Sequence, residues 1–361
     1  MNFIRYIKLI VFIGVIALFS SCADKFDLNQ IDLSGGEGNI GGDTVFVLLN
    51  PVWEGFNKPQ DIMVGREPFI YVADTENDRI VMLNLAGEIL SSTTIKHPVA
   101  LAQDYRLNLI VCAQFDTVIN GSTRTFSAVY KLDLVASNHQ LDAAPIKRLL
   151  PQLADFTQPL REYTGAAAFF DNRYVISRKG PNNSNLVDPD NSVLIFVQIR
   201  SDDGTTRDSL VGRVGLLNPT GTGIMSANQI SSLTSFNALG YDMIMTLTGD
   251  NSFKTQWLEF VVTPDFTGYR NALPPVESDL MTPNFFESPE GATVDDAGSI
   301  YVADAATDSV YKFNAFGDLL IAFGGSEIFS GPFSVAFFDK TLYVADTGNN
   351  RILRFILSTD L

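Results

Sequence analysis

The sequence predicts an all-β fold, a ring of six four-stranded antiparallel sheets in which a strand from the start of the chain completes the last sheet. Three observations predict it. The segment "YVADTENDRIVML" from Tyr71 returns as "YVADAATDSVYKF" from Tyr301 and as "YVADTGNNRILRF" from Tyr343. Each copy sits in a longer unit of alternating apolar and polar residues broken by Gly, Asn and Asp, the pattern of short strands joined by tight turns. The last unit ends one strand short, and a matching segment stands near the N-terminus.

The first element is an address. Arg5 and Lys8 precede an apolar run from Leu9 to Phe19, followed by Ser20, Ser21 and Cys22. A run of about eleven residues is too short to span a bilayer and has the layout of a signal peptide. It resembles a bacterial lipoprotein signal (residues 1–21), with Phe19 where such signals carry an aliphatic residue. The resemblance implies that Cys22 is lipidated and that the protein is held at the cell envelope, at the outer membrane. Attachment by two or more acyl chains is stable, each CH₂ adding about 0.8 kcal/mol. The alternative is an ordinary secretory signal with Cys22 incidental. Residues 22–43 follow as a Gly-rich tether with no apolar periodicity. A flexible chain of about 20 residues spans roughly 25 Å.

The folded body is expected over residues 44–361. Its clear units open at Pro59, Pro289 and Pro332. Each offers a short alternating run, a turn, a β-branched and aromatic run ending in Ala-Asp, a polar turn and a further run. "GEILSSTTI" and "GDLLIAFGG" supply fourth strands in two of them. Weaker copies open at Pro98, Thr164 and Ser232, and the period of roughly 40–60 residues is that of a propeller blade. "TVFVLLNPVWEGFNKP" from Thr44 matches "LLIAFGGSEIFSGP" from Leu319, so residues 44–50 are expected to close the ring. The Tyr-Val-Ala-Asp and Asn-x-Arg-Ile stretches resemble NHL repeats, strongly in the first, fifth and sixth units. That resemblance implies a six-bladed propeller.

Within the repeat, Asp74, Asp304 and Asp346 each end a second strand. An Asp there can accept hydrogen bonds from the backbone of the following turn, and Arg79 and Arg351 lie across the hairpin within reach of an ion pair. A Ca²⁺ or acid–base role is the alternative, and recurrence once per unit favours a structural device. Tyr71, Tyr301 and Tyr343 are expected to pack between blades.

Composition narrows the function. A net charge of −16 repels phosphate backbones and argues against nucleic acid. His97 and His139 are the only histidines, too few for a three-His zinc site. Cys112 lies in the apolar run "LNLIVCAQF" and reads as a small core residue. No nucleophile elbow or phosphate loop is present, and no cofactor is indicated. The turns near 116–127 and 179–191 and the link 216–230 read as long loops. They share a face with links carrying Trp53, Phe56, Phe285, Phe286 and Phe329, the candidate binding residues. These aromatics either form a patch or plug gaps between blades. The favoured reading is a non-enzymatic, membrane-tethered module that binds an envelope protein, peptide or glycan. The alternative is a lactonase-like hydrolase or lyase with a polar or metal site on the central axis.

Overall fold

The computed structural model describes residues 44–361 apart from 186, 203, 237–238 and 273–277. The expected signal (1–21) and tether (22–43), Cys22 included, lie outside the described residues.

The chain begins with β1 (Phe46–Leu48) and then builds its sheets in order. Blade 1 is β2 (Pro59–Val64), β3 (Ile70–Asp74), β4 (Arg79–Leu83) and β5 (Ile89–Thr94). Blade 2 is β6 (Ala100–Gln103), β7 (Asn108–Ile119), β8 (Ser122–Asp133) and β9 (Ile146–Leu150). Blade 3 is β10 (Glu162–Ala168), β11 (Tyr174–Lys179), β12 (Ser192–Arg200) and β13 (Thr206–Arg213). Blade 4 is β14 (Ile230–Ser235), β15 (Met243–Leu247), β16 (Thr255–Val262) and β17 (Thr267–Asn271). Blade 5 is β18 (Pro289–Val294), β19 (Ile300–Asp304), β20 (Ser309–Phe313) and β21 (Leu319–Gly324). Blade 6 is β22 (Pro332–Phe338), β23 (Thr341–Asp346) and β24 (Arg351–Leu357), and β1 is its outer strand.

The protein is therefore a six-bladed β-propeller of four-stranded antiparallel blades, closed by its N-terminal strand. Phe46, Val47 and Leu48 face Leu357, Ile356 and Phe355 across the closing ladder. Trp53 bridges to Ile352 just beyond it. The pairing leaves β24 without a bare edge.

Packing follows from the ring. Every residue of β3 and of β19 is buried, because a second strand has a neighbouring blade on each side. Alternate side chains serve different neighbours. Tyr71 and Ala73 pack with Leu101 and Val111 of blade 2, whereas Val72 packs with Ala336 and Ala345 of blade 6. Tyr301 stacks on Phe337 of the next blade, with centroids 5.1 Å apart. Burial fades outward, and β5 alternates between exposed and half-buried positions.

One expected loop is a strand pair. β7 and β8 pair without a break out to Ile119 and Ser122, so the stretch near 116–127 is a long hairpin. Asn120 and Gly121 both take positive φ at its tip (53° and 77°), as a two-residue primed turn requires.

Candidate functional site

The six inner strands surround a central cavity of about 1130 Å³, to which each of them contributes lining residues. The upper face is the one where inner strands begin. There the links into each blade meet the turns after the second strands. Ile95 N–H bonds to Asp78 O at 3.0 Å, Gly325 N–H to Asp308 O at 2.7 Å and Gly348 N–H to Ser330 O at 2.7 Å.

The repeated aspartates organise this face. Asp74 accepts Arg79 Nε at 2.6 Å, and Asp346 accepts Arg351 Nε at 2.7 Å. Both carboxylates are fully buried. Their backbone partners differ from expectation. Asp74 takes the N–H of Asn57, Asp304 those of Glu287 and Ser288, and Asp346 that of Ser330. Each Asp thus fastens the link that enters its own blade. The following turn contributes a side chain, Asn77 or Asn349, at 2.9 Å in two blades and the Ala306 N–H in the third.

The five candidate aromatics do not form an exposed patch. Trp53 (5% exposed), Phe56, Phe286 and Phe329 are buried, and Phe285 is half-buried. Trp53 and Phe56 fill the joint between blades 6 and 1, Phe329 packs under Phe323 and Phe355, and Phe285 and Phe286 cluster with Tyr311 and Phe313. Links that cross between wedge-shaped blades leave gaps that large rings fill. Aromatic content in a link does not by itself distinguish this from a recognition patch.

The same face over blades 2 to 4 is different. Leu153, Leu160, Val187 and Leu216 are 87%, 66%, 83% and 73% exposed. They sit on loops held by an ion network whose arginines and Asp190 are buried and whose Asp188 carboxylate is half exposed. Arg161 reaches Asp155 at 2.8 Å, Asp188 at 2.6 Å and Asp190 at 2.5 Å. Arg178 reaches Asp188 at 2.6 Å and the Asp190 carbonyl at 3.1 Å. Burial opposes ionisation of Asp188, but its bonds from Arg178 and Arg161 outweigh that and hold its carboxyl below the ordinary range. Asn182 bonds Gln158, and Asn191 bonds the Pro219 carbonyl, both at 2.7 Å, so the link 216–229 is tied into the same assembly. The charges are scattered over three sequence segments, and only the fold brings them together.

Inside the channel, Asp61 is the most perturbed carboxyl. Burial raises its pKa to about 6, against the lowering effect of three hydrogen bonds. Oδ1 accepts Ser334 Oγ at 2.5 Å and the Ile62 N–H at 2.8 Å, while Oδ2 accepts the Leu101 N–H at 2.6 Å. Its partners come from blades 6, 1 and 2, so Asp61 is a clasp across three blades. Burial also raises the Glu290 carboxyl. His97 lies against Glu76 on the upper face and His139 against Glu67 on the lower one. Cys112 is fully buried, its thiol raised by desolvation and directed at the Gly165 carbonyl. Among the described residues no three His, Cys, Asp or Glu side chains are grouped to hold a metal ion.

No protein-family model and no curated protein matches this sequence. Solved structures do. A gluconolactonase from Xanthomonas campestris is 13% identical with a TM-score of 0.54, covering 88% of this chain and 90% of its own. An auxiliary nutrient binding protein from Bacteroides thetaiotaomicron is 9% identical with a TM-score of 0.54, covering 84% of this chain and 70% of its own. A PQQ-bound aldose sugar dehydrogenase from Streptomyces coelicolor is 12% identical with a TM-score of 0.53, covering 88% and 99%. Identities this low establish a shared propeller architecture, one that serves enzymes and binding proteins alike, and that architecture is what this chain has in common with them.

Proposed function

We propose that the protein is a non-enzymatic binding module of the cell envelope that docks a protein partner on the upper face of blades 2 to 4. The carrying observation is the ion-pinned loop assembly that presents Leu153, Leu160, Val187 and Leu216 to water. Buried ion pairs add little net stability, but they hold a loop in one geometry. A rigid loop cluster displaying aliphatic side chains loses little entropy on binding. Its rim carboxylates, Asp188 and Glu162, are 51% and 60% exposed but already pair with Arg161, Arg178 and Lys179. The net charge of −16 favours an apolar protein surface with a basic border as the partner and disfavours anionic lipid. Lipidation of Cys22 is the anchoring part of this proposal. The propeller starts on its lower face, where Val45 pairs with Ser358, so a tether there leaves the loops free.

The enzymatic alternative draws on Asp61, whose raised pKa would suit acid–base chemistry. Its interblade hydrogen bonds give that carboxyl a structural task instead.

The test is site-specific photo-cross-linking in the envelope. A photoreactive residue at Val187 or Leu216 should trap one discrete, basic protein, and one at Phe316, 75% exposed on the lower face, should not. The adduct should vanish in Leu153→Ser/Leu160→Ser. Equal labelling from both faces, or adducts with copies of this chain alone, would overturn the reading.

A further inference from the structure

The repeat sets a cation opposite its tyrosine twice, and the two cations are held differently. Arg354 faces Tyr343 across β23 and β24, and its Nη2 donates to the Pro51 carbonyl at 3.0 Å. Lys312 faces Tyr301 across β19 and β20, and its ammonium stands 5.4 Å from the centre of that ring. Among the described residues the Lys312 ammonium has no hydrogen bond and no ion pair. Lys131, also on a third strand, is met by Asp208 at 2.8 Å and Asp104 at 3.4 Å.

Lys312 is half-buried and lines the lower end of the central cavity with Phe337, Lys340 and four aspartates, Asp295, Asp296, Asp339 and Asp360. One wall is aromatic, because Tyr301 stacks on Phe337 at 5.1 Å. The two carboxylates that act on Lys312 are engaged elsewhere. Asp295 accepts the Ala297 and Ser299 N–H groups at 3.0 and 2.7 Å and the Tyr301 hydroxyl at 3.2 Å. Asp360 pairs with Lys340 at 3.4 Å. Lost hydration lowers the pKa of Lys312, and the charges of Asp295 and Asp360 oppose that without cancelling it. A lysine so placed holds more of its free-amine form at neutral pH, and the free amine is the nucleophile.

We propose that Lys312 is a carbonyl-capturing amine, a covalent subsite for a small neutral aldehyde at the lower end of the cavity. The Lys312 nitrogen adds to the carbonyl carbon, an N–H proton passes to the carbonyl oxygen, and loss of one water leaves a C=N bond. No oxidant or reductant is consumed. The ligand is neutral because the aspartates repel an anion and the ammonium form repels a cation. The Tyr301 and Phe337 rings give its carbon chain an apolar wall. This site does not rest on the docking face, so either can fail alone.

Reductive trapping tests it. The whole protein is incubated with glyceraldehyde and cyanoborohydride at neutral pH, and the adducts are located by peptide mass spectrometry. Lys312 should be labelled roughly tenfold or more faster than the exposed Lys58 and Lys147. The advantage should shrink as pH rises towards about 10.4, where ordinary lysines become free amines too. Lys312→Met copies the pairing of Met82 with Tyr71 in blade 1, so it should fold normally and lose the fast adduct. Asp360→Asn removes a charge that holds the proton on Lys312 and should speed its labelling. Labelling of Lys312 no faster than that of Lys58 and Lys147, or a fast adduct that persists in Lys312→Met, would overturn the assignment.

Discussion

Replacing Trp53 by Ala tests whether the aromatic links are packing or recognition elements. The indole is 5% exposed, lies 5.7 Å from the Tyr343 ring and carries the Arg354 guanidinium 4.7 Å above it. On its other flank is Gly87, where a Cβ would come within 2.3 Å of the ring. Burying a Trp removes about 200 Å² from water, or about 5 kcal/mol at 25 cal/mol per Å². Its buried Nε1 has no partner among the described residues, which sets about 1–3 kcal/mol against that. A loss of about 2–4 kcal/mol follows, overlapping the range of about 3–5 for large-to-small aromatic changes. For a body of this size that lowers the melting temperature by roughly 4–8 °C, at about 2 °C per kcal/mol. Scanning calorimetry and urea unfolding measure it, with the exposed Leu153→Ser as a control expected within about 0.5 kcal/mol of wild type. A Trp53→Ala protein within about 1 kcal/mol of wild type would refute the packing argument.

Removing residues 1–43 should leave the urea midpoint of the propeller nearly unchanged, whereas removing 1–50 strips β1 and should cost several kcal/mol; equal midpoints would disprove closure by β1. Asp61 carries a pKa of about 6 when folded against 3.8 when free, so its ionisation is penalised in the folded state. Stability from this group is full below pH 3.8, is lost as pH rises through 3.8–6, and is flat above; the loss is at most about 3 kcal/mol. Denaturation midpoints of wild type minus Asp61→Asn should show that slope, and parallel curves would count against it. Arg161→Ala should cost about 3–5 kcal/mol by stranding Asp190, and limited proteolysis should then cut within 180–191 first. Cys22→Ser should abolish incorporation of labelled fatty acid, and continued labelling would move the lipid elsewhere.

The ring was legible because a blade is a local unit. Tyr71, Asp74 and Arg79 occupy a single hairpin, so spacing alone brings the Asp to the Arg. Closure by β1 was legible for the same reason, since a unit short of a strand has to find one. Residues whose neighbours lie on another blade were not legible. Trp53 and Phe329 read equally well as anchors or as plugs until Tyr343 and Phe355 are placed against them. Arg161, Arg178 and Asp190 look like scattered surface charges in a row of letters, although their side chains are nearly inaccessible. The stretch near 116–127 had a local signal, Asn120-Gly121, and an NG turn between alternating residues is a hairpin by rule.

The seam of the ring also sets a clock. Val45 and Ser358 are 313 residues apart, and their contact is made only after the intervening chain exists. At synthesis rates of about 5–20 residues per second, roughly 15–60 s separate the emergence of the two sides. During that interval β1 has no partner, and an apolar strand left waiting is an invitation to pair with the wrong chain. β1 is three residues long. So short a strand offers too few backbone groups to template a foreign ladder, yet it suffices once β24 is presented by a finished sheet. Its brevity suits a strand that is made first and used last.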